Sequence, residues 1–151
     1  MYSKKESDLI MPYLTKGAKV LEYGSGKSSI EIAGMVKSLL TIEHQRHWFE
    51  KIKPKLPDNA IMLLVFSTNF RGGTDGSYEQ FKDYIEAPKD IYDVIIIDGR
   101  ARVGCAKYCK NIADNNTLIF IHDFDRKEYQ PVLKYLQLIE QKGTLAKFKL
   151  K

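Results

Sequence analysis

Glu22, Gly24, Ser25, Gly26 and Ser28 fall within one stretch, Val20-Leu21-Glu22-Tyr23-Gly24-Ser25-Gly26-Lys27-Ser28-Ser29, where an apolar run passes through two glycines into a polar segment. Glycines so placed let backbone approach a ligand closely, and a helix opening behind them offers unpaired N–H groups to an anion. Glu43 and His44 close the next apolar run, and a carboxylate there has two oxygens for two vicinal hydroxyls. Asp98 ends a third run, and His122 and Asp123 end a fourth. If a hydroxyl must lose a proton, His122 is the first candidate base, because an imidazole titrates near neutrality, with Asp98 or Asp123 behind it.

Short apolar runs alternate along the chain with segments of helical period, the pattern of an α/β fold with a largely parallel sheet. Strands are expected over residues 19–23, 39–43, 60–66, 92–98 and 117–121. Helices are expected over 27–37, 45–53, 78–86 and 101–113, the second carrying Trp48, Phe49 and Ile52 inward. Asp125 and Glu128 have capping-box spacing for a fifth. Residues 135–151 read as two strands turning near Lys142-Gly143, an antiparallel hairpin. The expected architecture is a Rossmann-like three-layer sandwich. In such sheets ligands bind beyond the carboxyl ends of the strands, which sets Glu22, Glu43, Asp98, His122 and Asp123 along one rim. Residues 67–77, STNFRGGTDGS, fit no period and read as a binding loop, a lid or a plain surface loop.

Gly26-Lys27-Ser28 and the Val94–Asp98 strand suggest a nucleoside triphosphate, but a phosphate-wrapping loop needs a glycine five residues before Gly26, where Leu21 stands. A dinucleotide fingerprint needs a third glycine where Ser29 stands, and Glu22 would repel a pyrophosphate. The ordered set instead resembles the class I S-adenosylmethionine-dependent methyltransferases. Their strand ending in acidic-x-Gly-x-Gly is matched by Glu22, Gly24 and Gly26, and their second-strand acid by Glu43. Tyr92-Asp93-Val94-Ile95-Ile96-Ile97-Asp98-Gly99 and Thr117–Asp123 are similar to their fourth and fifth strands. The resemblance covers about residues 19–123, and Asp98–Val103 is similar to a minimal subgroup described as methyltransferase-like.

The resemblance implies one domain over residues 1–151 that binds S-adenosyl-L-methionine. Glu22 would help hold the methionine moiety, Glu43 the ribose, and Gly24, Ser25, Gly26, Ser28 and Asp98 the rest of the cofactor site. His44 would lie beside the adenine, and Ser67 and Thr68 near its edge. Most of the acceleration in methyl transfer comes from alignment of the reacting atoms. The expected acceptor is a hydroxyl of a sugar, glycan or small metabolite. Nucleic-acid or protein methylation, or a non-catalytic binding or regulatory module, are the alternatives. Asp98, Asp123 and Asp125 are the oxygen ligands open to a divalent cation, but their spacing is loose and no metal site is assigned. Relative to common members the chain is expected to lack extra N-terminal helices and substrate caps. Arg100 and Arg102 either meet an anion or face solvent.

Composition limits the remaining choices. Of 151 residues 44% are apolar, with nine Tyr, seven Phe and one Trp, enough for a real core. Disordered, collagenous and coiled-coil classes are excluded. No apolar run is long enough to span a membrane, and residues 1–9 are polar, so a cytoplasmic location without membrane contact is expected. The 24 Lys and Arg exceed the 19 Asp and Glu, a balance that favours anionic partners and keeps nucleic acid open. Lys147, Lys149 and Lys151 alternate with Ala146, Phe148 and Leu150, as on a strand with one solvated face. Homo-oligomerisation is left open. Cys105 and Cys109 are read as small hydrophobes on one helix face.

Overall fold

A computed structural model describes residues 2–151. Five strands follow the expected alternation: β1 (Lys19–Tyr23), β2 (Ser38–Glu43), β3 (Ala60–Leu64), β4 (Val94–Ile97) and β5 (Leu118–Ile121). The chain closes with β6 (Leu136–Lys142) and β7 (Leu145–Leu150). They form one sheet in the order β3-β2-β1-β4-β5-β7-β6, with β7 antiparallel to both its neighbours and the other pairs parallel. β4 reads VIII and every residue in it is buried, as a central strand covered on both faces requires.

Helices cover both faces. On one side α1 (Lys4–Ile10) and α2 (Lys27–Met35) pack on Val20, Leu39, Val94, Ile96 and Phe120. On the other, α4 (Lys82–Ile85) and α5 (Arg102–Tyr108) pack on Leu21, Tyr23, Ile95, Ile97 and Ile119. Alternate residues of each strand supply the two cores. Cys105 and Cys109 are fully buried, and burial pushes the Cys109 thiol up to about 12, so both act as small apolar side chains.

Three expectations need correction. The chain does carry a helix before β1: Ser3 caps α1, its Oγ accepting from the Glu6 N–H while the Glu6 carboxylate accepts from the Ser3 N–H at 2.8 Å. Asp125 and Glu128 form no such box. That segment is a 3-10 helix, Lys127–Lys134, without a side-chain cap, and Pro131 removes an N–H that an α-helix would use. Lys147 is 8% exposed, because β7 is an interior strand. Its ammonium lies 3.0 Å from Glu140 Oε2 and over the Tyr13 ring.

Candidate functional site

The order of the strands reverses between β1 and β4, and the loops beyond their carboxyl ends open a cleft there. Its larger part, about 300 Å3, is walled by Gly24, Ser25, Glu43, His44, Asp98 and Asp123, among others. A second part of about 280 Å3 reaches Gly26, Lys27 and Ser28 and shares Gly24, Ser25, Trp48 and Asp98 with the first. Trp48 therefore turns toward the cleft, and only Ile52 of the three apolar residues expected inward on α3 (Arg46–Ile52) is fully buried.

The glycine turn divides its two glycines by function. Gly24 has φ 90°, and a Cβ there would lie 2.5 Å from the Gly99 Cα, so β1 and β4 need this glycine to close on each other. Gly26 is extended (φ −169°), and a Cβ there would meet nothing within 4 Å. That open space lies on the cleft wall, a cradle that a side chain would fill.

Glu43, 3% exposed, sits at the tip of β2. Its Oε2 accepts from the Ser25 N–H (3.0 Å) and hydroxyl (2.7 Å), and its Oε1 from the N–H groups of His44 and Gln45, each at 2.9 Å. The carboxylate thus bridges the glycine turn to the β2 loop at the rim. His44 also lines the cleft and packs edge-on against Phe81 and Tyr84. Its Nδ1 is buried without a hydrogen-bond partner, 3.4 Å from Glu43 Oε1. Burial holds the His44 pKa below its ordinary value against the pull of Glu43, and Arg100 adds to the lowering, so the ring is neutral near pH 7.

Glu22 lies elsewhere than expected. It is 2% exposed and absent from the cleft wall, and its Oε2 accepts from the hydroxyls of Ser29 (2.6 Å) and Thr41 (2.7 Å). It ties the first turn of α2 to β2. Burial pushes its carboxyl up to about 7 despite those two hydrogen bonds. His122 also stands off the cleft. Its Nδ1 is 3.2 Å from Asp98 Oδ1, its Nε2 is 3.6 Å from Glu6 Oε1, and Tyr2 packs edge-on against the ring. The hydrogen bond to Asp98 raises its pKa above the usual value in spite of burial. With Nδ1 on Asp98 and Nε2 facing Glu6, the ring presents no free base to the cleft. Ser67 is half-buried beyond β3 and is not among the cleft residues.

Arg102, 6% exposed, joins the ends of β4 and β5. It donates to the carbonyls of Gly99 (2.9 Å) and His122 and lies 3.4 Å from Asp98 Oδ1 and 3.3 Å from Asp123 Oδ2. Asp123 adopts a left-handed backbone, φ 56°, that presents its carboxylate there. Asp98, His122 and Asp123 each offer a ligand atom within 4.8 Å of one another, yet Arg102 already pairs with both carboxylates of that group. Asp125 is exposed and outside it. The loop 67–77 is tied down: Arg100 donates to the Thr74 carbonyl at 3.1 Å, and the Ala101 N–H to that of Asp75 at 2.7 Å.

The fold recurs in solved structures. A methyltransferase-like protein from Silicibacter pomeroyi superposes with TM-score 0.75 at 23% identity, over 100% of this chain and 87% of that one. A TehB-like SAM-dependent methyltransferase from Corynebacterium glutamicum gives TM-score 0.64 at 13% identity, over 97% and 88%. The chain has the class I methyltransferase fold. A SAM-dependent methyltransferase from Thiobacillus denitrificans in complex with S-adenosyl-L-homocysteine matches with TM-score 0.54 at 12% identity, over 80% of this chain and 48% of that one. No protein-family model matches the sequence, and no curated protein does. No helix among the described residues is long and apolar enough to cross a membrane.

Proposed function

We propose that the chain binds S-adenosyl-L-methionine along the cleft and transfers its methyl group to a hydroxyl of a sugar or another small metabolite. The observation that carries this reading is the space at Gly26, beside Ser25 and the buried Glu43. Nothing in the chain needs a glycine at that extended position, whereas a closely seated ligand does. His44 stands on the same wall, edge-on to Phe81 and Tyr84.

The cofactor supplies an electrophilic methyl group on a sulfonium. Glu43 and Ser25, at the rim, would hold the nucleoside's hydroxyls. The backbone of Gly24 and Gly26 admits the cofactor, and Trp48 and Tyr129 exclude water from the walls. Asp98 holds the acceptor hydroxyl and takes its proton at Oδ2, since Oδ1 is engaged by His122 and Arg102. Arg102 fixes Asp98 and Asp123 in place, so alignment of the acceptor rests on buried groups.

Isothermal titration with S-adenosyl-L-methionine and S-adenosyl-L-homocysteine tests the reading. Saturable binding of both is expected. Absence of heat from either at about millimolar concentration overturns it.

A further inference from the structure

The cleft is lined by as many guanidiniums as carboxylates, but two of the guanidiniums are only loosely committed to those acids. Arg100, Arg102 and Arg126 line it, together with Asp98, Asp123 and Glu43. Arg102 is buried and fully engaged by both acids and by backbone carbonyls. Arg126 approaches the same Asp123 Oδ2 at 3.3 Å with its side chain 52% exposed, so one oxygen faces two guanidiniums. Arg100 makes no ion pair among the described residues. One of its N–H groups donates to the Thr74 carbonyl, and its guanidinium lies 5.7 Å from the Phe70 ring centre. A guanidinium has more donors than that bond uses. Glu43 forms no ion pair with any of the three arginines among the described residues.

We propose that the uncommitted donors of Arg100 and Arg126 select a methyl acceptor that is itself an anion, whose carboxylate or phosphate group they receive while its hydroxyl reaches Asp98. The inference rests on the functional reading above, because it assigns the acceptor end of the same cleft. Guanidinium forks match the oxygens of both anions in pairs, which gives orientation as well as attraction. A neutral sugar would offer these guanidiniums no opposite charge. The two arginines are specificity determinants, and Arg102 belongs to the scaffold that presents them.

Trp48, the chain's one tryptophan, lines the cleft and reports on it by fluorescence. Inorganic phosphate and malonate are titrated separately, at constant ionic strength, into the protein with and without S-adenosyl-L-homocysteine. Arg100→Gln and Arg126→Gln are measured alongside after circular dichroism has shown that they fold. A saturable response to at least one anion is expected, weakened roughly fivefold or more in each variant, with S-adenosyl-L-homocysteine binding within about twofold of the parent. Tighter phosphate binding assigns a phosphate ester, and tighter malonate binding a carboxylate. No saturable response up to about 50 mM, or variants that bind like the parent, overturns the proposal. If S-adenosyl-L-homocysteine fails to bind while the arginine-dependent response persists, methyl transfer falls and the arginine pair stands as an anion site.

Discussion

Gly24 and Gly99 meet backbone to backbone at the point where the strand order reverses. A Cβ on Gly24 would lie 2.5 Å from the Gly99 Cα, and one on Gly99 would lie 2.3 Å from the Tyr84 hydroxyl. The floor of the cleft is therefore only as thick as two main chains.

The two glycines of the turn should separate in mutagenesis. Gly24→Ala combines a left-handed backbone with a collision against main chain, and a loss of roughly 2–4 kcal/mol of stability is expected in chemical denaturation. Gly26→Ala should leave the denaturation midpoint nearly unchanged. It should weaken S-adenosyl-L-methionine binding about tenfold or more, because its methyl group occupies the cradle. Equal effects of the two on stability would contradict the division.

The two glutamates should separate as well. Glu43→Ala removes the acceptor at the rim and should cost roughly 1–3 kcal/mol in cofactor binding, read by calorimetry. Glu22→Gln alters a group behind the wall, and an affinity within about threefold of the parent is expected.

Glu22 also sets a pH dependence. Its carboxyl titrates at about 7 in the fold, against an ordinary value of 4.5, so the folded chain holds the extra proton between those values. That contribution to stability is complete below about 4.5 and is lost as the pH rises through 7. Glu22→Gln should flatten this decline and be more stable than the parent at pH 8 by roughly 2–3 kcal/mol, seen in denaturation curves across pH. Asp75, which burial pushes up to about 6, and His122, whose pKa Asp98 raises, add slopes of the same sign. An unchanged slope in the variant would place the titration elsewhere.

Arg102 offers a test of the rim as a unit. Arg102→Met leaves Asp98 and Asp123 without their shared cation, and roughly 2–4 kcal/mol of destabilisation is expected. Arg102→Lys should recover only part of it, because a single ammonium cannot reach both carboxylates and the carbonyls of Gly99 and His122 together. Full rescue by lysine would reduce the role of Arg102 to charge alone.

What could be read in the sequence was what local chemistry decides. The run KVLEY became β1 with the same ends, and the glycines after it made the turn. Ser3 and Glu6 carried the capping spacing in plain view, but the same spacing at Asp125 and Glu128 was followed by Pro131, which no α-helix absorbs there. Lys147 looked solvated because alternation shows two faces but does not tell an edge strand from an interior one. Arg102 could not be assigned because its partners, Asp98 and Asp123, meet only when β4 and β5 pair. Glu22 looked like a ligand contact since it ends a strand, and only tertiary packing put Ser29 and Thr41 over it.

Glu6, near the start of the chain, accepts from the backbone and hydroxyl of Thr144, in the turn between the last two strands, while facing His122. Everything from α1 to the turn before β7 must be made before this clasp can fasten. Until then His122 lacks one of its acidic neighbours, so the rim reaches its final charge pattern only after the central strands have been made.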